Sequence, residues 1–290
     1  MTWRLGDLTV NRIGFGAMRL PQQGAAFDPN ATPRDRAQAI RVLRDAVELG
    51  VNHVDTAAFY FSRTRSANEL INSALRPYPD DLVIATKVGP SRTPQGEWLP
   101  LATPEQLQGQ VEENLRQLGR DHLDLVNLRV SGLDDVSAHF EQLARLRQEG
   151  LIRHLGLSNV RPHHLDQAQR IAPVVCVQNS YGLGHHPEQD DFVGLCGERG
   201  VAFVPFFALA GANKEAGTSA EDDEVTEIAA AHEATPAQVR LAWTLARGPH
   251  VLVIPGTGDP AHLRQNVAAG ELSLTAQELT RLDALHLNGV

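Results

Sequence analysis

The 290-residue sequence has few cysteines and lysines, and it has no long apolar or basic stretch. Its two cysteines, Cys176 and Cys196, lie in apolar runs without metal-ligand spacing, which argues against a disulfide framework or a zinc site and favours buried thiols. The adjacent His185 and His186 are expected to sit in solvent, so no metal is predicted. The net charge of −9 disfavours a nucleic-acid partner. No run approaches the ~20 apolar residues of a membrane span, and no secretion signal is visible, so a cytoplasmic protein without membrane association is expected.

Short β-branched runs recur along the chain and are separated by segments with helix-start and helix-stop signals. The eight runs cover residues 10–16, 51–55, 82–87, 123–129, 152–159, 174–179, 201–207 and 251–257. Most are apolar throughout rather than alternating, which is typical of strands buried on both faces of a parallel sheet. The pattern predicts an α/β fold, a single (β/α)₈ TIM barrel domain over residues 1–290, with a doubly wound sheet as the alternative.

Turn and cap residues predict further elements around this barrel. The Gly6-Asp7 pair predicts an N-terminal β-hairpin that caps the bottom of the barrel. Thr275 and Glu278 predict a capping box for the last helix, and additional helices are expected between the last two strands. The segment 208–224, rich in Gly, Ala and Ser, is expected to be a mobile loop. Three Thr-Pro pairs predict helix starts, at 32–33, 103–104 and 235–236.

Polar side chains end several of the apolar runs, and in a barrel such strand ends meet at one mouth. Lys87 is one of only two lysines against 24 arginines, so we expect a role that arginine cannot fill, with a plain ion pair to Asp55 as the alternative. Tyr60 follows Asp55 closely. A phenol donates a proton at neutral pH only when nearby positive charge and hydrogen bonds stabilise its anion. We interpret Asp55, Tyr60 and Lys87 as a proton-donating set for a carbonyl oxygen, with simple packing of the tyrosine ring as the alternative.

Several motifs occur in a fixed order over essentially the whole chain: GFGAMRL, DTAAFY, TKVG, GLSNV, VQNSY, and IPGT followed by HLRQN. Together they resemble the aldo-keto reductases, NAD(P)H-dependent enzymes on a (β/α)₈ barrel. The family's catalytic tetrad is Asp, Tyr, Lys and His, and the first three carry over to Asp55, Tyr60 and Lys87. The fourth does not, because LVNLR places Arg129 where the family has histidine.

Arg129 changes the chemistry that the resemblance implies. A guanidinium stays charged at any working pH and only donates hydrogen bonds. Arg129 would therefore hold the carbonyl oxygen and stabilise negative charge as hydride arrives, which leaves Tyr60 as the proton donor. The stretches LVNLRV, VCVQN, VPFF and AHLRQNVAAGEL resemble the bacterial pyridoxal reductase branch, which implies reduction of pyridoxal to pyridoxine. A general aldehyde reductase of other specificity is the alternative.

The resemblance also implies NADPH as cofactor, with NADH less favoured, although the chain has no GxGxxG loop. Ser158, Asn159 and Gln178 would hydrogen-bond the carboxamide. Phe206 would lie under the nicotinamide ring, and Leu209 with the loop after it would cover the pyrophosphate. The implied cofactor-binding residues are Gly16, Ala17, Met18, Ser158, Asn159, Gln178, Phe206, Leu209, Gly256, Thr257, His262, Gln265 and Asn266.

At the adenosine end the chain departs from the family twice. The IPGT motif leads into a helix whose first amides can bind phosphate. His262 replaces an arginine found in many members, and Asp259 stands where serine or threonine would meet the 2′-phosphate. A carboxylate there disfavours the phosphate but can accept a bond from a bare ribose hydroxyl. Arg264 lies nearby and can compensate, so NADPH remains the expected cofactor.

Three functions stay open on the sequence alone. The first is reduction of an aldehyde or ketone, with a small-molecule carbonyl substrate. The second is a non-catalytic nucleotide-binding barrel subunit, which the retained Asp55, Tyr60 and Lys87 argue against and the lost histidine favours. The third is a Schiff-base lyase or aldolase that uses Lys87 and needs neither Tyr60 nor the IPGT segment. The loops 61–69 and 182–186 are expected to line the substrate pocket.

Overall fold

A parallel sheet of short, almost fully buried strands forms the centre of the protein. The structure is a computed structural model that describes residues 1–28, 30–209 and 222–288. The first two strands, β1 (Thr2–Leu5) and β2 (Leu8–Asn11), form an antiparallel pair. The parallel sheet has the strand order β3 to β9: β3 (Phe15–Gly16), β4 (His53–Asp55), β5 (Val83–Val88), β6 (Leu123–Arg129), β7 (Ile152–Ser158), β8 (Val174–Gln178) and β9 (Ala202–Phe203).

The eighth strand position is occupied by the segment 251–253, which closes the sheet. This segment makes a parallel bridge to Phe203 on one side and to Ile13 on the other. The amide of Gly14 donates to the carbonyl oxygen of Val253 at 2.8 Å, so the first and last strands are joined. The predicted (β/α)₈ barrel is therefore confirmed, and the alternative of an open, doubly wound sheet is wrong. A single domain over the whole chain stays a prediction.

Helices separate the parallel strands, as the right-handed βα repeat requires. The described part of the chain contains ten of them: α1 (Arg36–Glu48), α2 (Ala67–Leu75), α3 (Leu107–Leu118), α4 (Ser137–Gln148), α5 (Pro162–Gln169), α6 (Asp190–Glu198), α7 (Asp223–Ala231), α8 (Pro236–Ala246), α9 (Pro260–Ala268) and α10 (Ala276–Asn288). The two helices α7 and α8 lie between the last two strand positions, as predicted. None of the helices in the described ranges has the length and apolar character that a membrane crossing requires.

The N-terminal hairpin closes the bottom of the barrel, as predicted. Gly6 adopts a left-handed φ of 64° in its turn, a conformation that costs glycine little. Leu5 and Val10 are buried and belong to the same apolar cluster as the lower strand residues Val83 and Leu125. The hairpin therefore completes a core that lies inside the barrel. The carboxyl ends of the strands lie at the opposite end of the barrel.

Most of the predicted helix starts are found, but one is misplaced. Thr235 accepts a hydrogen bond from the amide of Gln238 before α8, and the Thr103-Pro104 pair opens a 3₁₀ turn that leads into α3. The start expected at 32–33 is wrong, because α1 begins only at Arg36. The carboxylate of Asp35 caps it by accepting from the amide of Gln38 at 2.7 Å. Aspartate is a stronger N-cap than threonine and lies directly before the helix.

The remaining local predictions divide between confirmed and untestable. Thr275 and Glu278 exchange the two hydrogen bonds of a capping box at the start of α10. Cys176 and Cys196 are free and buried, and burial raises the pKa of both thiols, which makes them unreactive. Most of the segment 208–224, expected to be a mobile loop, lies outside the described residues.

Candidate active site

A cavity of about 290 Å³ opens at the mouth formed by the carboxyl ends of the strands. All four predicted catalytic residues line it. The predicted cofactor residues among the lining are Gly16, Met18, Gln178, Phe206, Leu209 and Gly256. The wall does not include the loops 61–69 and 182–186, so their predicted place in the substrate pocket is wrong for this cavity.

Three strand ends bring a buried ion pair and an amide together. Lys87 in β5 donates to Asp55 Oδ1 at 2.5 Å and to the carbonyl oxygen of Thr56 at 3.1 Å. Gln178, the last residue of β8, donates through Nε2 to Asp55 Oδ2 at 2.8 Å. Both carboxylate oxygens of Asp55 are thus engaged, while Lys87 and Asp55 are only 2% and 3% exposed. Removal of one member would leave a buried charge without its partner, so the group acts as a unit.

The Lys87 ammonium is held in its charged form. Burial acts to lower the pKa of Lys87, but the charge and hydrogen bond of Asp55 and the neighbouring Tyr60 act in the opposite direction and outweigh burial, so the pKa is raised. A lysine that stays protonated at neutral pH is a fixed point charge and a poor nucleophile. The ion pair with Asp55 and the predicted functional role of Lys87 are therefore compatible rather than alternatives.

Tyr60 lies beside this ammonium in the loop that follows β4. Lys87 Nζ is 4.8 Å from the centroid of the tyrosine ring. The rings of Phe59 and Phe27 flank Tyr60, with centroid distances of 5.1 and 5.8 Å. Tyr60 is buried yet lines the cavity, so packing fixes its ring while the site keeps access to it. The structure thus brings Asp55, Tyr60 and Lys87 together.

Arg129 ends β6 and adds a second positive charge to the cavity wall. Its Nη1 donates to Ser158 Oγ at 3.1 Å, and its guanidinium carbon lies 4.8 Å from the centroid of the Phe206 ring. Arginine makes such cation–π contacts more often than lysine, and its planar guanidinium can stack on the ring. The side chain is therefore held from two directions at the position where the sequence places the family's histidine.

The residues predicted to bind the carboxamide occupy different surroundings. Gln178 lines the cavity, and its Oε1 is buried without a hydrogen-bond partner among the described residues. A buried acceptor of this kind is normally paired, so it suits an amide NH₂ group of a ligand. Ser158 is fully buried against Arg129, and Asn159 donates to the carbonyl oxygen of Val130 at 2.8 Å. Neither lines this cavity, and their carboxamide contacts stay predictions.

Aromatic side chains from the loops form another part of the cavity lining, the aromatic wall, and sequence reasoning missed it. Phe27, Phe59 and Trp98 line the cavity together with Phe207. Trp98 is 52% exposed, which is unusual for so large an apolar ring, and its centroid lies 5.2 Å from that of Phe27. Only 5% of the residues are aromatic, and these rings come from separate loops. The sequence therefore shows no aromatic cluster, and only the folded structure brings the rings together.

Gly16 and Gly256 owe part of their identity to backbone packing. A Cβ atom at Gly16 would lie 2.6 Å from the carbonyl oxygen of Ile254, and one at Gly256 would collide with the carbonyl oxygen of Gly16. Only glycine lets the first and last strands approach so closely. Both residues line the cavity, whereas Ala17 is buried and does not. Close approach to a cofactor is thus an additional reason for these glycines and stays a prediction.

At the adenosine end, Asp259 has a local partner that the sequence reasoning did not foresee. It is the N-cap of α9 and accepts from the amide of Ala261 at 2.6 Å and from that of His262 at 3.3 Å. These amides hold the pKa of Asp259 below its ordinary value. Thr257 Oγ1 in turn accepts from the amide of Asp259 at 3.0 Å. The carboxylate thus occupies helix amides that a phosphate would use.

The other predicted adenosine residues lie along α9. His262 is exposed, Gln265 is half-buried and Asn266 is buried. They share one helix with the Asp259 cap, and none of the three lines the cavity. Their contacts with a cofactor stay predictions.

Comparisons with known proteins agree with this geometry. The sequence model of the Aldo/keto reductase family matches residues 12–286. The chain belongs to this family. It is 45% identical over 291 residues to pyridoxine 4-dehydrogenase of Escherichia coli, with 98% of each chain covered. Family membership makes the chain an NAD(P)H-dependent oxidoreductase that acts on carbonyl groups, as the sequence motifs predicted.

Solved structures of other family members have the same fold. An aldo/keto reductase from Klebsiella pneumoniae in complex with NADP and acetate matches with a TM-score of 0.82 at 28% identity, over 98% of this chain and 95% of that chain. A second structure from the same organism, in complex with NADPH, matches with a TM-score of 0.81 at 28% identity, over 98% and 94%. The reductase barrel predicted from the motif order is therefore confirmed for the fold.

Proposed function

We propose that this protein reduces an aldehyde, with pyridoxal as the foremost candidate, to the alcohol by using NADPH, with Tyr60 as proton donor. The observation that carries the proposal is the buried Lys87–Asp55 pair, 2.5 Å apart, beside Tyr60 in the wall of the mouth cavity. A tyrosine next to a fixed ammonium is suited to protonate a carbonyl oxygen as negative charge develops on it.

Each residue of the site has a distinct proposed role in this reaction. Bound NADPH supplies the hydride. Gln178 would hold the carboxamide through its unpaired Oε1, and Phe206, which lines the cavity, would contact the nicotinamide ring. Tyr60 protonates the carbonyl oxygen, while Lys87, held by Asp55, stabilises the phenolate that remains. Arg129 donates a hydrogen bond to the same oxygen or to a neighbouring anionic group of the substrate.

Pyridoxal suits the two walls of the cavity. Its flat ring matches the aromatic wall of Phe27, Phe59 and Trp98, and its ionised phenol matches the charge of Arg129. The 45% identity to a pyridoxine 4-dehydrogenase supports the same substrate class. NADPH is favoured as cofactor because the two solved relatives hold NADP or NADPH. A cytoplasmic location and the absence of a nucleic-acid partner stay predictions.

The two other functions receive less support. A Schiff-base enzyme needs an unprotonated lysine, whereas the pKa of Lys87 is raised, since Asp55 and Tyr60 outweigh the effect of burial. A non-catalytic nucleotide-binding subunit would not need the assembled set of Asp55, Tyr60 and Lys87, which the structure keeps within contact distance. Both remain outcomes of the following test.

The test is an NADPH titration followed by turnover with a panel of aldehydes. Cofactor fluorescence reports binding, and loss of NADPH absorbance on addition of pyridoxal, pyridine-4-carboxaldehyde or butanal reports reduction. We expect saturable binding and fastest turnover with pyridoxal, and the reverse reaction from pyridoxine with NADP. Binding without turnover would support the non-catalytic subunit. Covalent trapping of a carbonyl compound by borohydride without cofactor would support the Schiff-base enzyme.

A further inference from the structure

Arg92 is a buried arginine on the loop side of the cavity, outside the catalytic set. It is 8% exposed, and no carboxylate in the described part of the chain lies within ion-pair distance of it. Burial of a cation without an anionic partner is costly unless other groups satisfy it. The groups that do so here are backbone carbonyl oxygens and aromatic rings.

The guanidinium ties three separate chain segments together through their carbonyl oxygens. Nη1 donates to Phe61 at 2.8 Å and to Phe59 at 3.4 Å, and Nη2 donates to Phe27 at 3.1 Å. Nε donates to Gly96 at 3.1 Å. The rigid fork of arginine can span acceptors in several directions, whereas the three donors of lysine radiate from a single nitrogen.

The same guanidinium also packs on rings from these segments. Its carbon lies 4.6, 5.3 and 5.6 Å from the ring centroids of Phe61, Phe27 and Trp98. Phe27 has a left-handed φ of 67°, which is unfavourable for a bulky residue and persists only where the surroundings hold it. The bond from Arg92 to the carbonyl oxygen of Phe27 is one such restraint.

The segments that Arg92 holds are those that shape the substrate side of the cavity. Phe27, Phe59 and Trp98 line that cavity, and Tyr60 lies between the two carbonyl groups of residues 59 and 61 that Arg92 binds. A displacement of this loop moves both the aromatic wall and the proton donor. Misplacement by about 1 Å can lower a catalytic rate ~100-fold.

We propose that Arg92 is a positioning residue that fixes the aromatic wall and the Tyr60 loop, and thereby gives the enzyme its preference for flat aromatic aldehydes over aliphatic ones. The proposal deepens the proposed reductase function and rests on it. It names the residue that sets the preference for aromatic aldehydes, a residue that does not itself line the mouth cavity.

The test compares Arg92→Lys and Arg92→Met with the wild type on benzaldehyde and butanal. We expect kcat/KM for benzaldehyde to fall about tenfold more than for butanal, with Arg92→Lys retaining more of the preference than Arg92→Met and NADPH affinity unchanged. A variant that is merely less well folded loses active enzyme for both aldehydes alike, so their ratio stays constant. An unchanged ratio in both variants would overturn the proposal.

The matched control is Arg120→Lys. Arg120 also lies over an aromatic ring, with its guanidinium carbon 5.1 Å from the Tyr78 centroid, but its side chain donates to Asp124 rather than to the loops that line the cavity. The aldehyde ratio should not change in this variant. A fall of the same size would show that loss of any stacked arginine has this effect, which would contradict a specific role for Arg92.

A second measurement does not depend on turnover. Amide hydrogen exchange should accelerate in peptides that contain Phe27 and residues 59–61 in Arg92→Lys, and should not accelerate there in Arg120→Lys. If the wild type reduces neither aldehyde while exchange behaves as expected, the proposed function fails and the positioning role of Arg92 stands. Unchanged exchange at these segments would contradict the positioning role even in an active reductase.

Discussion

The two walls of the mouth cavity are built in different ways. On one wall Asp55, Lys87 and Gln178 project from strand ends and are joined by side-chain hydrogen bonds of 2.5 and 2.8 Å. On the other wall Phe27 and Trp98 come from separate loops. Arg92 donates to the backbone carbonyl oxygen of Phe27, and its guanidinium carbon lies 5.6 Å from the ring centroid of Trp98. Strand ends keep charged groups at fixed separations, whereas loops can change shape around them.

The difference assigns chemistry to the strand wall and substrate choice to the loop wall. Changes to Asp55, Lys87 or the neighbouring Tyr60 should lower turnover of every aldehyde by a similar factor, since all of them need the same proton and the same charge stabilisation. Arg129 is the exception, because we expect it to meet the phenolate of the substrate as well. Changes on the loop wall should alter the ratio between aldehydes. The two kinds of substitution can therefore be told apart by whether they change the overall turnover or the ratio between aldehydes.

The largest expected effect belongs to Tyr60→Phe. Loss of the proton donor should lower kcat by about 10²- to 10⁴-fold for benzaldehyde and butanal alike, because general-acid catalysis contributes that much. NADPH affinity should stay near wild type, and stopped-flow hydride transfer with each aldehyde would measure the chemical step. A rate equal to the wild-type rate would remove Tyr60 from the mechanism, and a loss confined to one aldehyde would place it on the loop wall.

The strand that carries Asp55 should also govern stability in acid, through the buried His53 at the start of β4. Burial lowers the pKa of His53 to about 4, and its Nε2 has no hydrogen-bond partner among the described residues. An unfolded histidine titrates near 6.5, so between these values the unfolded chain takes up a proton and the folded chain does not. Stability is present above about pH 6.5 and is lost as the pH falls towards 4, by roughly 3 kcal/mol over the window.

Urea unfolding at several pH values would measure this effect in His53→Gln. We expect the variant to lose less stability than the wild type between neutral pH and pH ~4.5, whatever its stability at neutral pH. Equal slopes in the wild type and His53→Gln would assign the acid sensitivity elsewhere.

The same division explains which features the sequence could predict. Buried parallel strands are mostly apolar, so their order and the polar residues at or next to their ends, such as Asp55 and Lys87, are visible as breaks in composition. The hydrogen bonds by which Arg92 joins the loops could not be predicted from the sequence, because the acceptors are backbone carbonyl groups, which every residue carries. The cap by Asp259 could have been found, since an aspartate directly before proline is a standard helix start.

A smaller effect should follow from Arg129→His, which restores the family's residue at the edge of the strand wall. The variant loses a permanent charge that we expect to meet the phenolate of pyridoxal, and charge-assisted hydrogen bonds contribute about 1.5–3 kcal/mol. Its kcat/KM for pyridoxal should fall about tenfold or more relative to pyridine-4-carboxaldehyde, which has no phenol. An unchanged ratio between these two aldehydes would contradict the proposed role of Arg129.

The smallest effect is expected at the adenosine end, for Asp259→Ser, which removes the negative charge of the residue but keeps a side chain that can cap the helix. Serine can replace aspartate as N-cap of α9, so the helix start should survive, while the negative charge near the expected 2′-phosphate disappears. NADPH affinity should rise by a few-fold relative to NADH. Asp259→Ala removes both cap and charge and should in addition lower the free energy of unfolding by about 1 kcal/mol.

Because Asp259 is exposed and screened by solvent, the gain in NADPH affinity of Asp259→Ser should shrink as salt concentration rises. If Asp259→Ser leaves the ratio of the two cofactor affinities unchanged at low salt, the carboxylate is only a helix cap and does not influence cofactor choice.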